Sequence, residues 1–158
     1  MYWWSYPERF LFWYEEHTPA NTVDFIKRCI VYYGYKSLEI QTDNGTEFSW
    51  NESRIKKIHP IDEFCISEKI FHHKIKPRTP RHNGKIERSH RNDNERFYTY
   101  LTFYSLEDLR NQGEKYLYRS NNIPMAVLGY KTPLEKRKQL ILFLLAKYIP
   151  FNSFVNAS

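Results

Sequence analysis

The chain has 158 residues, of which 41% are hydrophobic and 18% aromatic, and its formal net charge is +6 at pH 7. This length fits one domain with a sizeable core, and the aromatic content excludes a disordered chain. The apolar run at residues 140–146 is far shorter than the roughly 20 residues that a membrane span needs. Because the N-terminus also lacks the pattern of a signal peptide, we expect a cytoplasmic protein without membrane contact.

A strand and a helix are predicted at the start of the chain. Residues 9–14 (RFLFWY) are few and aromatic, as in a buried strand. Thr18 and the proline after it form a helix-start sequence, and apolar residues at three- and four-residue steps predict a helix over residues 20–33. Gly34 follows and would end this helix with a positive φ.

The middle of the chain predicts an alternation of strand and helix. Residues 37–42 (SLEIQT) alternate apolar and polar side chains, and the turn sequence DNG after them places Asp43 at the tip of a short strand. Residues 51–60 form a polar loop, residues 61–68 a short helix and residues 71–75 a strand. This alternation indicates an α/β fold.

Helices are predicted for the rest of the chain. Three helix breakers interrupt residues 76–85, and the helix predicted over residues 86–100 would carry Glu87 in its first turn. The sequences that begin at Ser105 and Thr132 each combine a capping hydroxyl with an acid three residues later. They predict two further helices.

Asp43 and Glu87 are the candidate chemical groups. Two carboxylates presented on a strand tip and a helix can hold Mg²⁺ through hard oxygen ligands and support phosphoryl transfer. Two acids alone are a weak signal. An Asp before Asn-Gly more often forms the turn, and a Glu near a helix start more often complements the helix dipole.

A basic run surrounds Glu87. Residues 74–91 contain seven Lys and Arg side chains against a single acid. They are Lys74, Lys76, Arg78, Arg81, Lys85, Arg88 and Arg91. A charge run is usually a solvated face, but this density also suits a polyanionic partner.

Two sequence blocks carry a family resemblance. QTDNGTEF at residues 41–48 and KPRTPRHNGKIERSHR at residues 76–91 resemble the second and third acidic blocks of D,D,E transposases and integrases. The closest likeness is to bacterial insertion-sequence transposases that share the retroviral integrase core. NERFY and GYKTPLEKR extend the resemblance, so we assign residues 1–138 to the core domain and residues 139–158 to a divergent tail.

The resemblance implies a fold and a reaction. The fold is an α/β, RNase H-like mixed sheet with flanking helices, and the function is metal-dependent DNA strand transfer in DNA integration. Asp43 and Glu87 would be the second and third catalytic carboxylates, with Mg²⁺ or Mn²⁺ as the cofactor. The implied partners are transposon ends, target DNA, and a second copy or an intact transposase. Extra residues in the loop 51–60 would explain the long spacing between the two acids.

The basic residues beside Glu87 then acquire a role in binding DNA. Lys85, Arg88 and Arg91 flank the acid, and Arg91 lies one helical turn beyond it, which makes it our strongest candidate for a phosphate contact. Asn83 belongs to the same DNA-binding set, and with Gly84 it would form a tight approach to the helix. For Asn83, a plain turn is an equally good interpretation.

The first catalytic Asp of the family has no counterpart in this sequence. Its expected position is near Trp3, where no acid occurs, and Glu8 would be out of register with it. We therefore expect an N-terminally truncated core with most of the first strand missing, inactive as given because two acids do not complete a two-metal site. For residues 140–146, a buried helix and an out-of-frame tail both remain open.

Two other functions remain as alternatives. The chain could be a non-catalytic nucleic-acid-binding fragment that interferes with intact transposase, which needs only the basic surface. It could also be a nuclease of the same fold that cuts RNA–DNA hybrids, since a fold does not determine a function. The NGK-x-E-R block argues against the nuclease.

Overall fold

The computed structural model describes residues 2–5, 8–43, 45, 47–49, 57–75 and 80–148. Four strands and five α-helices, with two short 3₁₀ helices, follow one another along these residues. They are β1 Tyr2–Ser5, β2 Glu8–Leu11, α1 Pro19–Tyr33, β3 Glu39–Thr42, α2 Pro60–Ser67, β4 Phe71–Lys74, α3 Pro80–Arg96, a 3₁₀ helix Tyr98–Tyr100, α4 Leu106–Asn121, a 3₁₀ helix Ala126–Leu128 and α5 Pro133–Tyr148. The expected loop 51–60 lies largely outside the described residues, and so do residues 149–158 of the expected tail.

The chain forms two compact units. The first contains residues 12–111, and the second contains residues 2–11 and 112–158. Strands β3 and β4 of the first unit pair in parallel, with Glu39 opposite Phe71 and Thr42 opposite Lys74. Strands β1 and β2 of the second unit pair antiparallel. The strands are therefore of mixed direction and are accompanied by helices, which confirms the expected α/β class.

Helix α1 has the start and the end that its sequence predicts. The Thr18 side chain accepts a hydrogen bond from the backbone N–H of Asn21 at 3.2 Å, and Pro19 occupies the first turn. Gly34 adopts a φ of 74°, and its N–H donates to the Ile30 carbonyl at 2.9 Å. This left-handed conformation suits glycine, which has no Cβ to clash with the backbone.

The core of the first unit lies between α1 and α2. These two helices pack against each other. Their contributions to the interior include Phe25, Ile26, Cys29, Ile61 and Cys65. Both cysteines are free thiols. Burial raises the pKa of Cys65 to about 11 and also raises that of Cys29, so neither is a reactive nucleophile.

Helix α3 begins earlier than its sequence suggests, and this corrects two predictions. It starts at Pro80 rather than at residue 86, so Glu87 lies beyond the first turn. Asn83 and Gly84 therefore lie inside the helix and do not form a tight approach to it. The reason is that a proline is well tolerated at a helix start, where its fixed φ is already helical. One interior glycine costs only about 1 kcal/mol.

The second unit contains a buried polar arrangement around β2. Glu8 is fully buried, and its carboxylate is 3.0 Å from the Nε of Arg137 on α5. The backbone N–H of Arg9 donates to the Asn121 side chain at 3.1 Å, and the Asn121 amide donates to the Arg9 carbonyl at 2.8 Å. The Asn121 side chain of α4 thus pairs with both backbone polar groups of Arg9, as the backbone of a neighbouring strand would.

Helix α5 begins with the predicted capping box and continues through the apolar run. The Glu135 N–H donates to the Thr132 hydroxyl at 3.1 Å, and the Thr132 N–H donates to the Glu135 carboxylate at 2.8 Å. Leu142 and Phe143 are each 65% exposed, so a buried helix is wrong for this part of the run. Within the described part of the chain, none of the helices is both long and apolar enough to cross a membrane.

Candidate catalytic and nucleic-acid-binding site

Asp43 lies where the sequence predicted it, immediately after strand β3. Its side chain is exposed, and its Oδ1 accepts a hydrogen bond from the backbone N–H of Gly45 at 2.9 Å. The Gly45 carbonyl in turn accepts from the N–H groups of Phe48 and Ser49, each at 2.9 Å. The Gly45 N–H therefore restrains an exposed carboxylate that lies at the end of a strand.

Glu87 lies on the exposed side of α3. Ser89 and Asp93, four residues apart on this helix, are buried, whereas Glu87, Arg88 and Arg91 are exposed. The spacing of Glu87 and Arg91 by one turn places them on the same face. The helix therefore presents an acid and two cations to solvent.

Asn83 and Lys85, the other predicted DNA contacts, are described through their backbone only, and both are helical. Asp43 and Glu87 belong to the same unit. Within the described residues, no group of three or more His, Cys, Asp or Glu side chains could hold a metal ion.

Glu8, the acid that we weighed as a substitute for the missing Asp, is engaged elsewhere. Its ion pair with Arg137 and its complete burial belong to the interior of the second unit. Burying a carboxylate is costly unless a partner compensates its charge, and Arg137 supplies that compensation. Glu8 is therefore a structural residue in this arrangement.

A polar network next to Asp43 was missed by the sequence analysis. His72 of β4 contacts Asp62 of α2 through Nδ1 at 2.5 Å and Thr42 of β3 through Nε2 at 2.8 Å. The Lys74 ammonium donates to the other Asp62 oxygen at 2.8 Å. Burial alone would raise the pKa of Asp62, but the hydrogen bonds from Lys74 and His72 outweigh it and lower this pKa below its usual value.

Comparisons with known proteins identify the class to which this fold corresponds. Residues 68–133, which include Glu87, match the family model of the integrase core domain. The "Putative integrase ORF3" of Spiroplasma virus SpV1-C74 is 30% identical over 138 residues, which is 82% of this chain but 38% of that protein. The chain therefore spans well under half the length of this relative.

Two solved structures have a similar fold. The catalytic core domain of BIV integrase superposes with a TM-score of 0.59 at 22% identity, covering 84% of this chain and 78% of that chain. A chain of the simian T-cell lymphotropic virus intasome in complex with PP2A regulatory subunit B56 gamma gives a TM-score of 0.61 at 22% identity, covering 84% of this chain and 43% of that chain. The protein thus has an integrase-like core with an RNase H-like fold, and the resemblance that its motifs indicated is confirmed.

Proposed function

We propose that this chain is the metal-dependent strand-transfer core of a DNA integrase or transposase. The integrase core domain indicates a function in DNA integration. The observation that carries the finer proposal is the presence of two exposed carboxylates, Asp43 and Glu87, at a strand end and on a helix of one unit. Both lie in the sequence blocks that resemble the acidic blocks of the family.

The two carboxylates suit a hard divalent cation. Mg²⁺ and Mn²⁺ prefer oxygen ligands, and both side chains are open to solvent, from which such ions retain several waters. When bound, the ions activate a water or a 3′-hydroxyl and stabilise the leaving oxygen in phosphoryl transfer. The Gly45 N–H bond to Asp43 Oδ1 orients one of these carboxylates before any ion arrives.

The cations on α3 support the DNA half of the proposal. Arg88 and Arg91 are exposed and flank Glu87 on the helix. A phosphodiester attracted by a cation at the acids would be bound by the guanidinium groups of Arg88 and Arg91, which contact phosphate oxygens in a bidentate manner. Lys85 and Asn83 precede them on the same helix and complete the proposed DNA-binding set.

With two acids, the chain as given is expected to bind DNA without cutting it. Removal of one ligand from a two-metal site weakens ion binding and leaves the attacking and leaving oxygens without their shared clamp. The burial of Glu8 and its ion pair with Arg137 favour this alternative, because Glu8 is the acid that the sequence offered as a substitute third ligand. A non-catalytic fragment of this kind could pair with an intact transposase and interfere with it.

The test is to measure Mn²⁺-dependent strand transfer and DNA binding with the same purified chain. DNA binding without strand transfer would support the non-catalytic form of the proposal. Strand transfer that Asp43→Asn or Glu87→Gln abolishes would show a working site and contradict the expected inactivity. If the chain binds neither DNA nor Mn²⁺, the proposed function is refuted altogether.

Arg91→Gln gives the sharpest prediction for the DNA interface. We expect weaker binding to all DNA sequences and a salt dependence, as the slope of log K against log salt, that is lower by about 1. Arg119→Gln is the matched control, because Arg119 is an exposed arginine on a different helix, α4. Equal losses from the two variants would indicate a general charge effect rather than a contact at α3.

A further inference from the structure

A continuous polar network lies on the buried face of strands β3 and β4, next to α2. His72 lies opposite Ile40 in the parallel register, and Thr42 lies two residues along β3 on the same face. The His72 side chain is only 4% exposed, and Thr42 is also buried. Asp62 reaches the same place from helix α2, which packs against β4.

The direction of each hydrogen bond in this polar network follows from the number of protons that each group carries. The Thr42 hydroxyl has one proton, and it donates to the backbone carbonyl of Asp43 at 3.0 Å. Its oxygen then accepts from His72 Nε2 in the 2.8 Å contact, and because Nδ1 donates to Asp62 as well, these directions describe the imidazolium form of His72, in which both ring nitrogens carry a proton. At the other end, the Asp62 carboxylate accepts from His72 Nδ1 and from Lys74.

We propose that Asp62, His72 and Thr42 form a positioning relay that fixes the backbone of Asp43 and so aims its carboxylate. This inference rests on the proposed function, in which Asp43 is a metal ligand. Helix α2 anchors the imidazole through Asp62, the imidazole holds the hydroxyl, and the hydroxyl holds the peptide carbonyl that follows strand β3. None of the three residues needs to touch the ion or the DNA.

The relay restrains the position of the exposed Asp43 carboxylate. A metal ligand is useful only if its carboxylate is held within roughly 0.5 Å of its working position. Asp43 is the first residue after β3, where the strand pairing no longer restrains the backbone. Outer hydrogen bonds of this kind commonly orient metal ligands in proteins, and here they run from the buried sheet face to the first residue beyond the strand.

The experiment compares Thr42→Val with Thr42→Ser. Valine keeps the shape of threonine and removes the hydroxyl, whereas serine keeps the hydroxyl. Amide exchange with water, measured by NMR, reports on the Gly45 N–H that binds Asp43 Oδ1. We expect about five-fold faster exchange at Gly45 in Thr42→Val, the effect of one lost hydrogen bond, and the native rate in Thr42→Ser.

An internal control separates a loosened turn from a loosened strand. The Ile75 N–H donates to the Thr42 carbonyl at 2.9 Å, so its exchange rate reports on the backbone pairing beside the relay. Unchanged exchange at Ile75 with faster exchange at Gly45 supports the relay. Unchanged exchange at Gly45, equal loosening of both amides, or failure of serine to rescue would each overturn it.

Mn²⁺ titration separates failure of the relay from failure of the proposed function. Asp43→Asn should abolish Mn²⁺ binding, and native binding by this variant would refute the metal site while leaving the exchange measurement to judge the relay. Where Asp43→Asn does abolish it, Thr42→Val should weaken Mn²⁺ binding about five-fold and Thr42→Ser should restore it. Native Mn²⁺ affinity in Thr42→Val would show that the relay does not position a ligand.

Discussion

Two carboxylates of this chain lie at strand ends and have opposite environments. Glu8 begins β2 in the second unit, is fully buried and is paired with Arg137. Asp43 follows β3 in the first unit, is exposed, and makes a short-range bond to the Gly45 N–H. A carboxylate is therefore buried and paired in one unit, and exposed and accessible to a ligand in the other. Burial and pairing, rather than residue type or strand position, distinguish the two roles.

The largest effect is expected at the buried pair. Arg137→Met removes the guanidinium that lies 3.0 Å from the buried Glu8 carboxylate, which should lower the free energy of unfolding by about 3–5 kcal/mol, as measured by urea denaturation. The double variant Glu8→Gln/Arg137→Met should recover much of the loss because the uncompensated charge is gone. A loss below about 1 kcal/mol for the single variant would contradict a structural role for the pair.

A smaller effect is expected at Asp62, whose environment lies between these two extremes. The pKa of Asp62 is lower in the folded chain than its ordinary value of 3.8, so the unfolded chain binds its proton more readily. This group therefore contributes stability that is fully present above pH 3.8 and is lost as the pH falls through the lower folded-state pKa.

The measurement is the urea midpoint between about pH 5 and pH 2. The midpoint of Asp62→Asn should fall less steeply with decreasing pH than that of the native chain. Asp24→Asn serves as a comparison, because hydrogen bonds from Tyr14 and Arg28 also lower the pKa of Asp24 at a more exposed position. If the urea midpoints of Asp62→Asn and of the native chain fall equally steeply with decreasing pH, Asp62 does not make the predicted contribution to stability.

The smallest effect on stability is expected at Asp43. Asp43→Asn keeps an acceptor for the Gly45 N–H and changes an exposed side chain, so the free energy of unfolding should change by no more than about 0.5 kcal/mol. Mn²⁺ binding, measured by calorimetry, should nevertheless be lost. If Asp43→Asn loses much stability but still binds Mn²⁺, then Asp43 is a structural residue, as Glu8 is, and not a metal ligand.

The elements that the sequence predicted well are those held by neighbours along the chain. Gly34 ends α1 and Thr132 begins α5 through contacts with residues within four positions, so their sequence patterns were sufficient. The position of Asp43 at a strand tip was predicted for the same reason, since it depends only on the sequence around the end of β3. Helix α3 shows the limit, because Pro80 and Gly84 suggested breaks, whereas the helix begins at Pro80 and continues through Gly84.

The sequence by itself determined the integrase-like class of the core, because that class depends on short motifs. The same motifs predicted Asp43 and Glu87 as metal ligands and the cations beside Glu87 as DNA contacts. Only the tertiary structure decided that Glu8 is paired with Arg137 and that Asp62, His72 and Thr42 connect to Asp43. These contacts join residues from different strands and helices. Their energies depend on burial and on distances of a few ångströms, which arise only when the separate elements pack together.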